Sequence, residues 1–349
     1  MIEKKFNENW LYWEEKDAFN LIWTIPNDAT KITLPHDAMI EKKADPNSLN
    51  GSNTAFRDGC IGIYAKHIYV YANDMDKRRL LKFEGVYMNT FVYINGELAA
   101  KQPYGYTTFY VELDDYLKQG KNEIRVIARN SAMTNSRWYS GTGIYRDVYL
   151  LEGDLCHIKE DSLRCSTEEI TPEFSTIMVK ADIVNLSTKA YETIVRFTLK
   201  NSDKTIVSEV SIPVSLYKSS EEKVWTRLTV KKAELWDHEN PNLYILECSL
   251  LEGELDYDQE RLESLKVIDN SVVETGIRTL SLSPINGLRV NGKTVKLKGV
   301  ALHHDSGIIG AATYDEVKFR QIKKLKDAGI NAIRMAHNPV SQAMLRACD

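Results

Sequence analysis

Residues 295–349 carry a strand, helix and strand pattern that few folds can host. Val295 to Leu302 is an apolar run of strand length, Thr313 to Ala328 has helical spacing, and Ile330 to Met335 is a second short apolar run. Asn338 and Pro339 then read as the N-cap and first residue of another helix. A strand, a crossover helix and a parallel strand make one right-handed βαβ unit. Eight such units close a barrel of about 250 residues, whose chemistry is built at the C-terminal ends of its strands. The two strands here end in His303-His304-Asp305 and Arg334-Met335-Ala336-His337, so half of a polar pocket is expected, at the truncated start of a (β/α)8 TIM barrel. Within the helix, Thr313-Tyr314-Asp315-Glu316 has the spacing of a capping box, and Phe319, Ile322 and Leu325 mark the stripe expected to be buried. Gly329 follows at the position that favours a left-handed residue.

The preceding residues are mainly β. Leu80 to Val86, Thr90 to Ile94 and Glu123 to Ala128 have strand composition, and Asn95-Gly96 is the dipeptide that a tight hairpin requires. Residues 1–152 therefore predict a jelly-roll β-sandwich, with Trp10, Trp13, Trp23 and Trp138 available for its core or for a sugar face. From 153 to 281 the alternation is cleaner. Ile177, Val179, Ala181 and Ile183 share one face of a strand, and Val195, Phe197 and Leu199 repeat the pattern. Several short strands in this span predict an immunoglobulin-like β-sandwich acting as a spacer. Residues 282–349 form the third, incomplete domain.

Composition removes several classes of function. With 45 basic and 49 acidic residues the net charge is -4. The densest basic stretch, Lys77-Arg78-Arg79, is read as a solvated turn, so neither a nucleic acid nor a membrane surface is expected as partner. The apolar runs are strand-sized, too short to span a bilayer. Met1-Ile2-Glu3-Lys4-Lys5 has no signal-peptide character, which predicts a cytoplasmic protein. The 5 cysteines are scattered without Cys-x-x-Cys spacing and are read as reduced thiols. Asn185-Leu186-Ser187 is a formal glycosylation sequon with no meaning in that compartment.

Chemistry is expected at the two strand ends. A guanidinium at Arg334 can orient a carboxylate through paired hydrogen bonds, and an imidazole at His337 can donate to a hydroxyl. A metal held by His303, His304 and Asp305 is disfavoured, because adjacent residues of a strand point to opposite faces. Gly141-Thr142-Gly143 lacks the full phosphate-loop fingerprint and leads into a strand over Ile144 to Leu150. Within that strand Arg146 and Asp147 are read as a structural ion pair.

A family resemblance rests on motifs spread along the chain. Phe83-Glu84-Gly85-Val86, Tyr93-Ile94-Asn95-Gly96, Gly105-Tyr106-Thr107-Thr108-Phe109 and Arg137-Trp138-Tyr139-Ser140-Gly141-Thr142-Gly143-Ile144-Tyr145-Arg146-Asp147-Val148 are followed by Leu235-Trp236, Asn240-Pro241-Asn242-Leu243-Tyr244, Gly276-Ile277-Arg278 and the run from Gly329 to Pro339. In this order they resemble glycoside hydrolase family 2, the β-galactosidases, β-glucuronidases and β-mannosidases. The resemblance implies a retaining mechanism with two glutamates, both on later barrel strands, so that no catalytic residue lies in this chain and it has no turnover alone. By position it implies that Arg334 orients a catalytic carboxylate while His337 and His303 contact sugar hydroxyls. Asp305 and Arg137 complete the candidate set.

Three positions depart from the pattern. Ala301-Leu302 stands where many members have Asn-Arg, Ala336 where a small hydroxyl residue is usual, and Arg137 where some members have an acid. Arg137 is expected to close a domain interface, or alternatively to meet a substrate carboxylate. No cofactor is implied, although the resemblance leaves room for a divalent metal in a full-length enzyme. The expected partner is a β-galactoside or related carbohydrate, and the uncovered apolar faces of a partial barrel predict that the chain forms a homo-oligomer or docks a missing partner. Two alternatives stay open: a β-glucuronidase of the same family, and a free-standing carbohydrate-binding module without catalysis.

Overall fold

The structure is a computed structural model that describes residues 1–15, 24–131, 136–254 and 263–349. Trp23 lies outside the described residues. The chain divides into two compact units, one formed by residues 2–152 with 298–348, the other centred on 153–297.

In the first unit, short β-prone runs pair into two sheets. β1 (Ile2–Lys5), β2 (Trp10–Glu15), β3 (Thr30–Ile32), β4 (Ile61–Val70), β5 (Arg78–Phe83), β6 (Thr90–Ile94), β7 (Glu97–Gln102), β8 (Phe109–Glu112), β9 (Gly120–Arg129) and β10 (Val148–Gly153) make a four-stranded sheet in the order β1-β10-β5-β8 and a six-stranded sheet in the order β3-β2-β4-β9-β6-β7. Alternation sends Trp10, Leu81, Phe83, Val92, Ile94, Val111, Ile124 and Val126 into one core between them. This is the expected jelly-roll sandwich. Asn95 and Gly96 close the β6–β7 hairpin with φ of 51° and 87°, the left-handed pair that a type I′ turn needs. Trp13 packs outside that core, with Ile61, Ile63, Ala65 and Ile127.

Three local expectations give way to tertiary contacts. Arg78 and Arg79 are buried rather than solvated, because they open β5 beside three carboxylates: Arg78 pairs with Glu112 and Asp114, and Arg79 with Glu152. The strand after Gly143 begins at Val148, not Ile144. The backbone of 143–145 is used elsewhere, Gly143 exchanging hydrogen bonds with Tyr87 while the Ile144 and Tyr145 carbonyls accept from His36 and Thr313. Arg146 and Asp147 are not partners among the described residues. Arg146 donates to the carbonyls of Glu84, Tyr106 and Pro339, and Asp147 binds Lys5, Asn7 and Tyr149.

The second unit holds two antiparallel four-stranded sheets. β11 (Cys156–Ile158), β12 (Arg164–Ile170), β13 (Phe174–Asn185) and β16 (Ser220–Lys231) form one, while β14 (Tyr191–Lys200), β15 (Ile206–Leu216), β17 (Tyr244–Glu252) and β18 (Val267–Thr275) form the other. The alternating residues of β13 and β14 meet in the core with Leu246, Cys248 and Leu250, as expected for an immunoglobulin-like sandwich. Asn185 is buried and its amide donates to the carbonyls of Lys189 and Tyr217, so the sequon asparagine is a structural residue. A small meander, β19 (Leu280–Ser283), β20 (Gly287–Val290) and β21 (Lys293–Thr294), belongs to this unit.

The βαβ unit completes the first unit. β22 (Gly299–Leu302) pairs in parallel with β23 (Ala332–Met335), and α1 (Asp315–Asp327) connects them. Gly329, at φ 82°, lets its own N–H reach the Lys326 carbonyl and that of Ile330 reach Leu325, a Schellman ending. The capping box does not form: Tyr314 is the N-cap, and the Thr313 hydroxyl donates to the Ala311 carbonyl instead. The buried face of α1 is set by Lys318 rather than Phe319, which is 45% exposed. The last helix, α2 (Gln342–Cys348), starts after Ser341, whose hydroxyl accepts from the Met344 N–H. Asn338 and Pro339 precede it outside any helix, Asn338 in a bend, with the Pro339 carbonyl held by Arg146.

Candidate functional site

The parallel register carries the ends of β22 and β23 to one edge, where Leu302 pairs with Met335. His303 and His337 emerge there and close on Trp138 of the jelly roll. The His303 ring lies flat against the indole, 5.6 Å between centroids and 13° between planes, and His337 meets it edge-on at 5.3 Å. The two imidazoles are 6.0 Å apart. Trp138 is fixed from behind, since its Nε1 donates to the Tyr106 hydroxyl at 3.1 Å.

Partner chemistry fixes the tautomers. A carbonyl only accepts, so the 2.7 Å contact between His303 Nδ1 and the Ala336 oxygen puts a proton on Nδ1, and in the neutral ring Nε2 is then the acceptor. A guanidinium only donates, so Arg334 Nη2, 3.3 Å from His337 Nδ1, makes that nitrogen the acceptor and leaves Nε2–H free to donate. Desolvation, then the charges of Arg334, His303 and Arg137, lower the His337 pKa and favour this neutral form. The edge thus offers one acceptor, one donor and the remaining N–H groups of Arg334, a set suited to sugar hydroxyls and to a carboxylate.

Each expected site residue has a definite place. His303, Arg334 and His337 converge on Trp138. Arg137 is exposed, and its charge acts on His337, which places its guanidinium near the same edge. Asp305 is half-buried and lies close enough for its charge to act on Lys318 and Tyr139. His304 turns the opposite way from His303. It is buried between the rings of Tyr106 and Tyr145, at 5.2 and 5.6 Å, and its Nε2 donates to the Ser140 carbonyl. Burial drives its pKa down to about 3, so the ring is neutral. Among the described residues no three His, Cys, Asp or Glu side chains converge where they could hold a metal ion.

The residues that hold this edge were not singled out from the sequence. Asp37, 2% exposed, takes four hydrogen bonds: Met39 N–H and Thr142 N–H at Oδ1, Tyr139 hydroxyl and Ala311 N–H at Oδ2. One carboxylate thereby ties the loop after β3, the Trp138 turn and the loop after β22. Lys318 is equally buried and donates to the His304 carbonyl and the Ser306 hydroxyl at 2.8 and 2.7 Å. Burial lowers its pKa to about 8. No spacing rule finds Asp37, because Ala311 is 274 residues away. In the sequence Trp138 is only one of four tryptophans available for a core or a sugar face, and its place in an aromatic, glycine-rich turn is the sole hint as to which.

Comparison with known proteins places all three domains in one family. Residues 37–153 match the sugar binding domain of glycosyl hydrolases family 2, residues 156–278 match glycosyl hydrolases family 2, and residues 285–349 match its TIM barrel domain. A β-galactosidase of Bacteroides ovatus is 33% identical over 93% of this chain and 37% of its own length. A β-glucuronidase of Bacteroides fragilis is 28% identical over 98% of this chain and 47% of its own length. A family 2 member from Bacteroides cellulosilyticus superposes with a TM-score of 0.91 at 32% identity, covering 100% of this chain and 44% of that one. The chain thus spans less than half the length of these relatives, as their N-terminal part. With all three domain models in their expected order along one polypeptide, the chain belongs to glycosyl hydrolases family 2.

Proposed function

We propose that the chain is the N-terminal part of a retaining β-glycosidase that removes terminal β-linked sugars, with β-galactosides as the substrate. The observation that carries this reading is the group of Trp138, His303, His337 and Arg334 at the C-terminal ends of two parallel strands, where barrel enzymes assemble their chemistry. In this role Trp138 supplies an apolar wall for a sugar ring, His303 Nε2 accepts from one hydroxyl and His337 Nε2–H donates to another. Arg334 orients a carboxylate of the full-length enzyme. Two glutamates about 5 Å apart, acid/base and nucleophile, are supplied by later barrel strands, so this chain alone does not turn over.

The name carried by the Bacteroides ovatus relative supports a galactoside. One observation favours a second reading. Arg137, exposed next to His337, gives the edge a second guanidinium that would suit the carboxylate of a β-glucuronide, the substrate class named for the Bacteroides fragilis relative. The free thiols support a reducing, cytoplasmic setting. Domain borders near 152 and 281 belong to the same proposal. The exposed Phe319 and Leu345 support self-association of the 349-residue chain, which light scattering reads directly, a monodisperse monomer counting against it.

The test compares kcat/KM of the full-length enzyme on nitrophenyl β-galactoside and β-glucuronide. A preference of about tenfold or more for the galactoside is expected, equivalent to roughly 1.4 kcal/mol. A glucuronide preference abolished by Arg137→Ala establishes the second reading. Turnover of neither glycoside, or turnover by the 349-residue chain alone, overturns the proposal.

A further inference from the structure

The outward face of the β12-β13-β16 sheet is unlike the rest of this acidic chain. Register places Arg164 opposite Lys180 and Lys180 opposite Trp225, with Asp182 opposite Lys223 in one flanking row and Met178 opposite Arg227 in the other. Alternation turns all of these outward while Val224 and Leu228 point into the core. They line a shallow groove of about 510 Å³.

Trp225 is 58% exposed, and its indole N–H has no partner among the described residues. Arg227 lies over its ring, 5.9 Å from the centroid, and is tied to Glu168 at 2.6 Å. Lys180 and Lys223 are exposed and unpaired among the described residues. With Arg227 neutralised by Glu168, the groove keeps three cations, Arg164, Lys180 and Lys223, against the carboxylate of Asp182, in a chain of net charge -4. Structural needs do not account for this, because an exposed tryptophan flanked by unpaired lysines contributes nothing to the core and leaves like charges on neighbouring strands.

We infer that this face is a second, non-catalytic saccharide site for an acidic glycan, a polymer bearing uronate or sulfate groups. A sugar ring would stack on Trp225 with its hydroxyls within reach of Asp182 and the indole N–H, and Lys180, Lys223 and Arg164 would meet the acidic groups of adjoining residues. Three strands about 4.8 Å apart give a strip roughly 10 Å wide, room for a short stretch of one chain. A polynucleotide fits less well, since Asp182 repels a phosphate backbone and one aromatic ring supports one base only. The choice of a saccharide rests on family membership and the proposed glycosidase role, but binding here requires no catalysis, so either can fail alone.

The test is affinity electrophoresis of the 349-residue chain in gels containing polygalacturonate, neutral galactan or single-stranded DNA. Retardation by polygalacturonate is expected, weakening at least about tenfold in Trp225→Ala and in the double variant Lys180→Gln/Lys223→Gln, and unchanged in Arg334→Ala. Unaltered circular dichroism shows that the variants fold. Absence of retardation, retardation equal in Trp225→Ala, or DNA binding as tight as polyuronate binding overturns the inference. Loss in Arg334→Ala instead assigns the glycan to the barrel edge. Self-association that disappears in Trp225→Ala without glycan binding assigns the face to a second copy.

Discussion

Replacing Asp37 by asparagine removes one oxygen from the point where three loops meet. Oδ1 keeps its two backbone donors, Met39 and Thr142, but the new NH2 group confronts the Ala311 N–H, donor against donor. The Tyr139 hydroxyl can rotate to accept, whereas the Ala311 N–H cannot change role. One charge-assisted hydrogen bond is worth about 1.5–3 kcal/mol and one stranded buried N–H costs about 1–3 kcal/mol, so the expected loss is about 3–5 kcal/mol. Water cannot substitute, because the carboxylate is packed against two backbones: a Cβ at Gly141 would lie 2.9 Å from Asp37 Oδ2, and one at Gly310 would overlap it. Both glycines have positive φ, 71° and 61°, so the sequence spends two of its most permissive residues on this contact. For a unit of this size the loss corresponds to a fall in Tm of about 10 °C. Calorimetry reads that fall, and hydrogen exchange localises it: peptides covering 139–143 and 305–313 should lose protection while those covering 177–199 keep theirs. A change below about 1 kcal/mol, or uniform loss of protection across the chain, would refute the assignment of Asp37 as the tie between jelly roll and barrel edge.

Two pH predictions of opposite sign follow from buried groups in the same unit. Burial raises the Glu84 carboxyl to about 7, against Lys82 and Arg146, so the folded state holds its proton longer than the unfolded chain and stability falls as pH rises from about 4.5 to 7. Glu84→Gln should remove that loss and gain roughly 2–3 kcal/mol over the parent at pH 8 with little gain at pH 4.5, as read by urea unfolding; an equal gain at both pH values would contradict the origin assigned here. His304 refuses a proton down to about pH 3, so stability falls as pH drops below 6.5, by about 2 kcal/mol at pH 5. His304→Gln keeps a donor for the Ser140 carbonyl and should abolish this acid-side loss; persistence of the same slope would implicate other groups.

The parts of the fold that are local patterns were legible in the sequence. The Asn95-Gly96 hairpin, the alternation of β13 and β14, the Gly329 helix ending and the parallel pairing of β22 with β23 each depend on residues close together or on a simple period. What escaped was decided by distant partners. Thr313 would cap α1 in isolation, but its backbone N–H binds the Tyr145 carbonyl and its hydroxyl the Ala311 carbonyl. Arg78 and Arg79 look like a solvated turn until carboxylates of Glu112, Asp114 and Glu152 arrive from other strands. Pro339 does not begin a helix because Arg146, 193 residues earlier, holds its carbonyl. For the candidate site, the strand ends named His303, Arg334 and His337, and Trp138 was named for a core or a sugar face, but the packing of the two histidines on it was not foreseen, since that contact joins sequence segments more than 150 residues apart. Arg137 was named as a departure from the family pattern, and its nearness to His337 joins sequence segments 200 residues apart.

The central claim is that His303, Arg334, His337 and Trp138 form half of a retaining glycosidase pocket. The most direct measurement is proton NMR of the first sugar released when the full-length enzyme cleaves an aryl β-galactoside. Retention predicts that the β-anomer appears first and mutarotates afterwards, because two inversions at one carbon restore its configuration. The α-anomer as first product would contradict the account, since it requires a single displacement by water between more widely separated carboxylates.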